Sequence, residues 1–275
     1  MTTKQDFGTY GVWRWEAGID DAFARGVERL GYGALWVGGS PAAGLESVER
    51  ALDATESLTV ATGIVNIWKD SAVDVAASFR RIDERHPGRF VLGIGSGHRE
   101  ATPERVRPLA AMREYLDVLT AEGLAPEQLL LAALGDRTLA LSAERTLGAH
   151  PYLTVPEHTA HARTVLGDAL LAPELKASIG DDRDAAREVA RRYLSRYFGM
   201  SNYTKTLVAS GVDPDDIASG GSDALIDRVA ANPTAAAAVA GAAAHLGAGA
   251  DHVSFQVLGD DPLGHLEAIA EALPA

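Results

Sequence analysis

Short apolar runs rich in β-formers alternate with amphipathic helical stretches along the whole chain, and this alternation restricts its fold more than any single motif does. Runs suited to strands lie at residues 7–13, 34–37, 58–66, 90–94, 129–134, 150–154, 170–172 and 252–258. Their brevity and apolar character fit strands covered on both faces, and such strands joined by helical crossovers run parallel. Between them, Leu45, Val48, Leu52 and Thr55 share one helical face, as do Val75, Phe79 and Ile82, and Leu109, Met112, Leu116 and Leu119. A charged amphipathic helix opens at Asp181 and runs through Tyr193 and Tyr197, an Ala-rich helix lies within 234–249, and Leu263, Leu266, Ile269 and Leu273 line a closing helix. Eight strand–helix pairs fit into 275 residues, since a barrel of this kind occupies ~250 residues as one unit. The expected fold is therefore α/β, a single (β/α)8 TIM barrel forming one domain over residues 1–275. The 199–221 stretch, with Asn202-Tyr203-Thr204 and Gly220-Gly221, departs from the regular pattern and reads as an irregular active-site loop.

Composition narrows the function. A net charge of −13, spread through the helical stretches, disfavours nucleic acid or an anionic membrane as partner. Hydrophobic residues make up 47% of the chain, enough for a large core, yet no run is long and apolar enough to cross a bilayer. The absence of cysteine removes disulfides, thiolate metal ligands and cysteine nucleophiles together. Met1-Thr2-Thr3-Lys4-Gln5-Asp6 shows no basic segment ahead of an apolar run, so a cytoplasmic protein acting on a small molecule is expected, and a homo-oligomer is compatible with the sequence. The histidines lack metal-binding spacing beyond the loose pair His158/His161, expected to face solvent from a helix, and no metal is expected.

In such a barrel the chemistry gathers where strands end and βα loops begin. Strand three ends Gly63-Ile64-Val65-Asn66, strand four Gly93-Ile94-Gly95-Ser96-Gly97-His98, strand five Ala133-Leu134-Gly135-Asp136-Arg137, and strand six at Tyr152 and Thr154. The glycines at 93, 95 and 97 do not make a dinucleotide fingerprint, and Pro103 and Pro108 delay the next helix; they read either as close backbone approach to a flat ring or phosphate, or as tight packing. Gly135-Asp136-Arg137 opens a helix where free amides and a fixed positive charge converge on a position for an anion; the plainer reading pairs Arg137 with Asp136 or Glu144. His98 brings the side chain that titrates nearest neutrality to the end of strand four. Trp13 and Arg14 end the first strand, where they either cover an aromatic cofactor or pack at the barrel rim, and Asn202 and Tyr203 read either as closing over substrate or as ordinary loop residues.

Arg89-Phe90-Val91-Leu92-Gly93-Ile94-Gly95 with Ser96-Gly97-His98, the stretch Pro108-Leu109-Ala110-Ala111-Met112-Arg113-Glu114-Tyr115-Leu116, Leu131-Ala132-Ala133-Leu134-Gly135, Gly148-Ala149-His150-Pro151-Tyr152-Leu153 and Gly247-Ala248-Gly249-Ala250-Asp251-His252-Val253 together carry a family resemblance. With them the chain resembles the luciferase-like monooxygenase superfamily, most closely its short oxidoreductases that use coenzyme F420, an 8-hydroxy-5-deazaflavin. The resemblance implies a bulge with a non-prolyl cis peptide at Gly63-Ile64 beneath the cofactor's tricyclic ring, and cofactor phosphate near Gly135 and Arg137. The implied cofactor-binding set is Trp13, Gly63, Ile64, Val65, Asn66, Ser96, Gly97, Ala133, Leu134, Gly135, Arg137 and Tyr152, with Asn202 and Tyr203 toward substrate and His98 as the titratable group. The implied activity is hydride transfer between F420 and a small organic substrate. FMN-dependent monooxygenation in the same barrel, and flavin or deazaflavin binding without catalysis, are the alternatives. Lys205-Thr206 departs from similar sequences, which tend to carry amide residues there.

Overall fold

The computed structural model describes residues 3–98, 100 and 106–274, so Pro103 lies outside the described residues. Its strands are β1 (Tyr10–Trp15), β2 (Ala34–Gly38), β3 (Thr59–Thr62), β4 (Val65–Asn66), β5 (Phe90–Gly95), β6 (Leu129–Leu131), β7 (Gly148–Ala149), β8 (Leu170–Leu171), β9 (Glu174–Ser178), β10 (Ala230–Ala231) and β11 (Val253–Leu258). All pairings are parallel, in the order β10-β9-β11-β1-β2-β3-β5-β6-β7-β8, with β4 on β5. The two ends of that order meet because β8 runs into β9 through Ala172-Pro173. The amide of Glu174 donates to the Pro151 carbonyl at 2.9 Å on one side, and the amide of Ser254 donates to the Pro173 carbonyl at 3.1 Å on the other. The sheet thus closes as the expected (β/α) barrel, and β10 adds a short outer strand to β9.

The helices are α1 (Asp21–Arg29), α2 (Glu46–Asp53), α3 (Ala72–Arg85), α4 (Pro108–Ala121), α5 (Asp136–Arg145), α6 (Pro156–Leu166), α7 (Arg183–Phe198), α8 (Ser201–Ala209), α9 (Pro214–Ile217), α10 (Asp223–Val229), α11 (Ala235–Gly247) and α12 (Pro262–Ala272). Their starts are written in side chains: Asp20, Ser71, Asp182, Ser222, Thr234 and Asp261 each accept from a first-turn amide, which satisfies donors the helix cannot. Proline opens α4, α6, α9 and α12, where its missing N–H costs nothing. The expected apolar faces are buried: Val48 and Leu52 on α2, Val75, Phe79 and Ile82 on α3, Met112, Leu116 and Leu119 on α4.

Inside the ring, alternate strand residues make a separate plug. Phe7, Trp13, Ala34, Trp36, Ala61, Val91, Leu130, Leu170 and Ala172 pack together, while their strand neighbours Leu35, Val37, Val60, Leu92 and Leu131 point out to the helices. At the Trp36 side of this plug the polar atoms are paired: Trp36 Nε1 donates to His252 Nε2 at 3.0 Å, and His252 Nδ1 lies 2.8 Å from the Gly8 carbonyl.

Three expectations are corrected, and one strand is added to those expected. The run at 58–66 is two strands, because Gly63-Ile64, joined by a cis peptide, interrupts it. Residues 150–154 are not a strand. The sixth ring strand is Gly148–Ala149, and after it Pro151 lacks the donor a ladder needs while Leu153 turns at φ 56°. Residues 174–178 form a strand that the charged Glu174 and Lys176 disguise. The 199–221 stretch holds helices α8 and α9 rather than an irregular loop, with Tyr203 and Leu207, one turn apart, buried beneath α8. No helix among the described residues is long and apolar enough to cross a membrane.

Candidate active site

At the carboxyl ends of the ring strands lies a cavity of about 490 Å³, within the range of small-molecule sites. Trp13 of β1, the Gly63-Ile64 turn between β3 and β4, and His150 after β7 meet at its base. Gly63 has to be glycine here: a Cβ on it would stand 2.7 Å from Trp13 Nε1 and 3.2 Å from His150 Nε2. Gly38 plays the same part beside the six-membered ring of the indole, since a Cβ there would overlap Trp13 Cζ2 at 2.0 Å. His150 is stacked on Trp36, ring centroids 4.0 Å apart and planes 11° apart, and its Nδ1 lies 2.7 Å from the Ala172 carbonyl. Burial pushes its imidazole down to about 3, so it is neutral near pH 7.

The wall facing this base is aromatic. Tyr152, Tyr197 of α7 and Tyr203 of α8 line it, backed by Tyr193. Hydroxyls of Tyr152, Tyr193 and Tyr197 lie within 2.9–3.2 Å of one another. Gln256 of β11 orders the group, donating to Tyr193 at 2.6 Å and accepting from Tyr152 at 2.8 Å; Trp15 Nε1 adds a donor to Tyr193 at 3.0 Å. Beneath them Lys176 Nζ sits 3.8 Å from the Tyr152 ring centre and 2.7 Å from Glu174, both fully enclosed in the barrel. The tyrosines respond differently to these surroundings. Burial pushes the Tyr152, Tyr203 and Tyr197 hydroxyls up. For Tyr193 burial acts the same way, but Lys176 and the hydrogen bonds from Tyr152, Tyr197 and Gln256 outweigh it and bring that hydroxyl below its ordinary value. For Glu174 burial wins over Lys176, and its carboxyl is raised.

His98, in the loop after β5, joins the site from the opposite side. Its Nδ1 is 3.2 Å from Asn202 Oδ1, and its Nε2 is 3.4 Å from the Tyr203 hydroxyl. An amide oxygen only accepts, so this pairing puts the ring proton on Nδ1 and turns the Nε2 lone pair to Tyr203. The rim carries Lys69 and Arg196, the latter lying over the Trp15, Tyr193 and Tyr197 rings.

Most residues expected at the site do meet around this cavity: Trp13, Gly63, Ile64, Asn66, Ser96, Gly97, His98, Ala133, Leu134, Gly135, Tyr152, Asn202 and Tyr203. Two do not line it. Val65 is fully buried in the core between strands and helices. Arg137 is exposed on the first turn of α5, and the cavity is lined there by Gly135 and Thr138 instead. Neither expected partner of Arg137 is engaged with it, since Asp136 pairs with His161 and Glu144 with Arg113. Gly135 caps α5 with no side chain closing the helix end, so first-turn amides remain open toward an anion. Arg14 turns away to lie over Phe23. Of the glycines after β5, Gly93 and Gly95 serve packing, abutting the Thr62 carbonyl and Ile64, while Gly97 lines the cavity at φ 57°. His158 is buried and contacts the Leu134 carbonyl at 2.8 Å, so the expected solvent-facing pair with His161 does not exist. Trp15, Lys69, Thr138, His150, Arg196 and Tyr197 line the cavity without having been singled out from sequence. The Tyr193/Tyr197 spacing on a highly charged helix was the available signal for the last two.

Residues 21–272 match the model of a family described as luciferase-like monooxygenase. Among solved structures the chain is similar to an F420-dependent secondary alcohol dehydrogenase in complex with an F420-acetone adduct, with a TM-score of 0.74 and 14% identity over 100% of this chain and 99% of that one. It is also similar to the coenzyme F420-dependent tetrahydromethanopterin reductase from Methanopyrus kandleri, with a TM-score of 0.71 and 16% identity over 96% and 98%. A third similar structure is the oxygenating constituent of 3,6-diketocamphane monooxygenase from Pseudomonas putida in complex with FMN, with a TM-score of 0.69 and 14% identity over 97% and 98%. At these identities the likeness speaks for the fold alone. No curated protein matches the chain significantly in sequence.

Proposed function

The chain belongs to the luciferase-like monooxygenase family, a family of oxidoreductases, and from that premise we propose that it transfers a hydride between coenzyme F420 and a small organic substrate. The observation that carries this reading is the aromatic cavity at the strand ends, built on Gly63-Ile64, Trp13 and His150 and large enough for a tricyclic ring. Two neighbours of the same architecture are F420-dependent by name and a third is in complex with FMN, so this fold accommodates either ring.

The residues fit such a group in three ways. Gly63 leaves room for a flat ring beside the apolar Ile64, the open amides at the start of α5 with Gly135 and Thr138 suit its phosphate, and Lys69 and Arg196 give the rim positive charge in an otherwise acidic protein. When bound, F420 supplies the hydride chemistry itself. The protein's own share is alignment, exclusion of water by Trp13 and the tyrosine wall, and proton handling. Reduction of a carbonyl needs a proton at the oxygen as well as a hydride at the carbon, and His98 with Tyr203 is placed to hold that proton at the cavity wall.

The test is a titration of the purified chain with F420 and with FMN, followed by stopped-flow oxidation of the reduced cofactor across a panel of carbonyl compounds. Saturable F420 binding and acceleration by at least one compound are expected. Tight FMN binding with none to F420 would move the assignment to the monooxygenase branch, and binding of either without acceleration by any acceptor, oxygen included, would reduce the protein to a carrier.

A further inference from the structure

Two polar atoms at the cavity base are left unmatched by the fold. Trp13 Nε1 and His150 Nε2 are buried and have no hydrogen-bond partner among the described residues. Their residues are 3% and 1% exposed, yet both line the cavity. They converge over Gly63, since a Cβ placed there would come within 2.7 Å of one and 3.2 Å of the other. Buried polar groups in folded proteins are nearly always paired, so an unmatched pair facing a cavity points to a ligand.

The two atoms are chemically opposite. An indole N–H can only donate. His150 Nδ1 faces a carbonyl oxygen, which only accepts, so Nδ1 carries the proton and Nε2 presents a lone pair. Neither ring is free to turn: Gly38 abuts the six-membered ring of the indole, and Trp36 holds the imidazole in a stack. The base of the cavity therefore shows a fixed donor next to a fixed acceptor. A carboxylate or phosphate offers acceptors alone and would set a lone pair against Nε2, and an apolar group would leave both atoms unmatched. A cyclic imide edge, with a carbonyl oxygen beside an N–H, matches both.

Resting on the reading of the cavity as a flavin-type site, we propose that Trp13 and His150 recognise the dioxopyrimidine edge of the ring, a ring carbonyl accepting from Trp13 Nε1 and the adjacent imide N–H donating to His150 Nε2. Flavins and deazaflavins share this edge, so the pair fixes how the ring enters without choosing between them. Oxidised and reduced rings both keep it, so the contact holds the cofactor through turnover.

The experiment removes the donor from the ligand rather than from the protein. The intact chain is titrated with riboflavin and 5-deazariboflavin, and with the N3-methyl derivative of each, by fluorescence or calorimetry. Wild type should prefer each parent ring over its N3-methyl form by about tenfold or more, the loss expected when a buried acceptor goes unmatched. His150→Phe, which keeps the stack on Trp36 but accepts nothing, should bind parent and methylated rings within about twofold of each other. Trp13→Phe should weaken both forms while leaving the preference. Should His150→Phe fail to fold, the wild-type comparison decides alone. Wild type that binds a parent ring and its N3-methyl form equally overturns the edge assignment and leaves the ring reading standing, whereas wild type that binds neither riboflavin nor 5-deazariboflavin overturns both.

Discussion

Gly63 decides what the cavity can hold, because a hydrogen rather than a methyl group separates Trp13 Nε1 from His150 Nε2. In Gly63→Ala one of those rings must shift, and each is wedged, the indole by Gly38 and the imidazole by Trp36. Affinity for the ring cofactor should fall by at least about tenfold, or ~1.4 kcal/mol, while the chain still unfolds cooperatively. Titration beside a urea melt checks this, and an alanine variant with wild-type affinity would remove Gly63 from the ligand surface. At this scale the sequence is informative where a residue lies in the short loop after a strand, as Gly63, Ser96, Gly97 and Gly135 do. It was less so one residue into a helix: Thr138 reaches the cavity and Arg137 does not, because helical rotation of about 100° per residue sends neighbours to different sides. His150 carried no spacing signal at all, since its role comes from the Trp36 stack across the barrel.

Among the elements, β9 and α8 show why local pattern misleads at a functional site. Glu174-Leu175-Lys176-Ala177-Ser178 alternates as a half-exposed strand would, but the polar residues point into the ring and the apolar ones out to the helices. Burial of Glu174 and Lys176 is tolerable because they meet at 2.7 Å and Lys176 also faces the Tyr152 ring. Helix α8 reads as loop in sequence because Asn202-Tyr203-Thr204, shortly after Gly199, has no strong helix formers. It is held instead by packing, for Tyr203 and Leu207 belong to a second core with Leu194, Tyr197, Leu225, Ile226 and Val229 that lies apart from the barrel's main one. Leu207→Ala should cost roughly 2–5 kcal/mol there. Since α8 carries Asn202 and Tyr203, amide exchange should quicken in α7 and α8 before it does in β1, β2 and β5, and the His98 contacts should loosen. Uniform quickening across barrel and helices, seen by hydrogen-exchange mass spectrometry, would show that the two cores open as one unit.

At the scale of the whole molecule, parallel closure was legible because apolar runs and helical faces alternate from end to end, whereas the cost of closing the ring around polar side chains was not. Three buried histidines bear that cost: His150 at the cavity base and His252 in the plug, which both contact Trp36, and His245 in α11. Burial lowers them to about 3, about 4 and about 4 respectively. The unfolded chain takes up these protons near the ordinary value of ~6.5, while the folded chain resists until far lower pH. Between those limits the unfolded state binds more protons, so stability is full above pH ~6.5 and declines as pH falls toward 4. Going from pH 7 to pH 5 should cost an independent site such as His245 about 2 kcal/mol, and His150 and His252, which share Trp36 as a neighbour, add a coupled cost in the same direction, against the ~5–15 kcal/mol that ordinarily holds a folded protein. The urea midpoint should therefore drop steeply over that interval, and His245→Gln should recover about one histidine's share at pH 5 relative to its own effect at pH 7. A midpoint that is flat from pH 7 to 5 would mean that these sites open to water and protonate without unfolding the barrel.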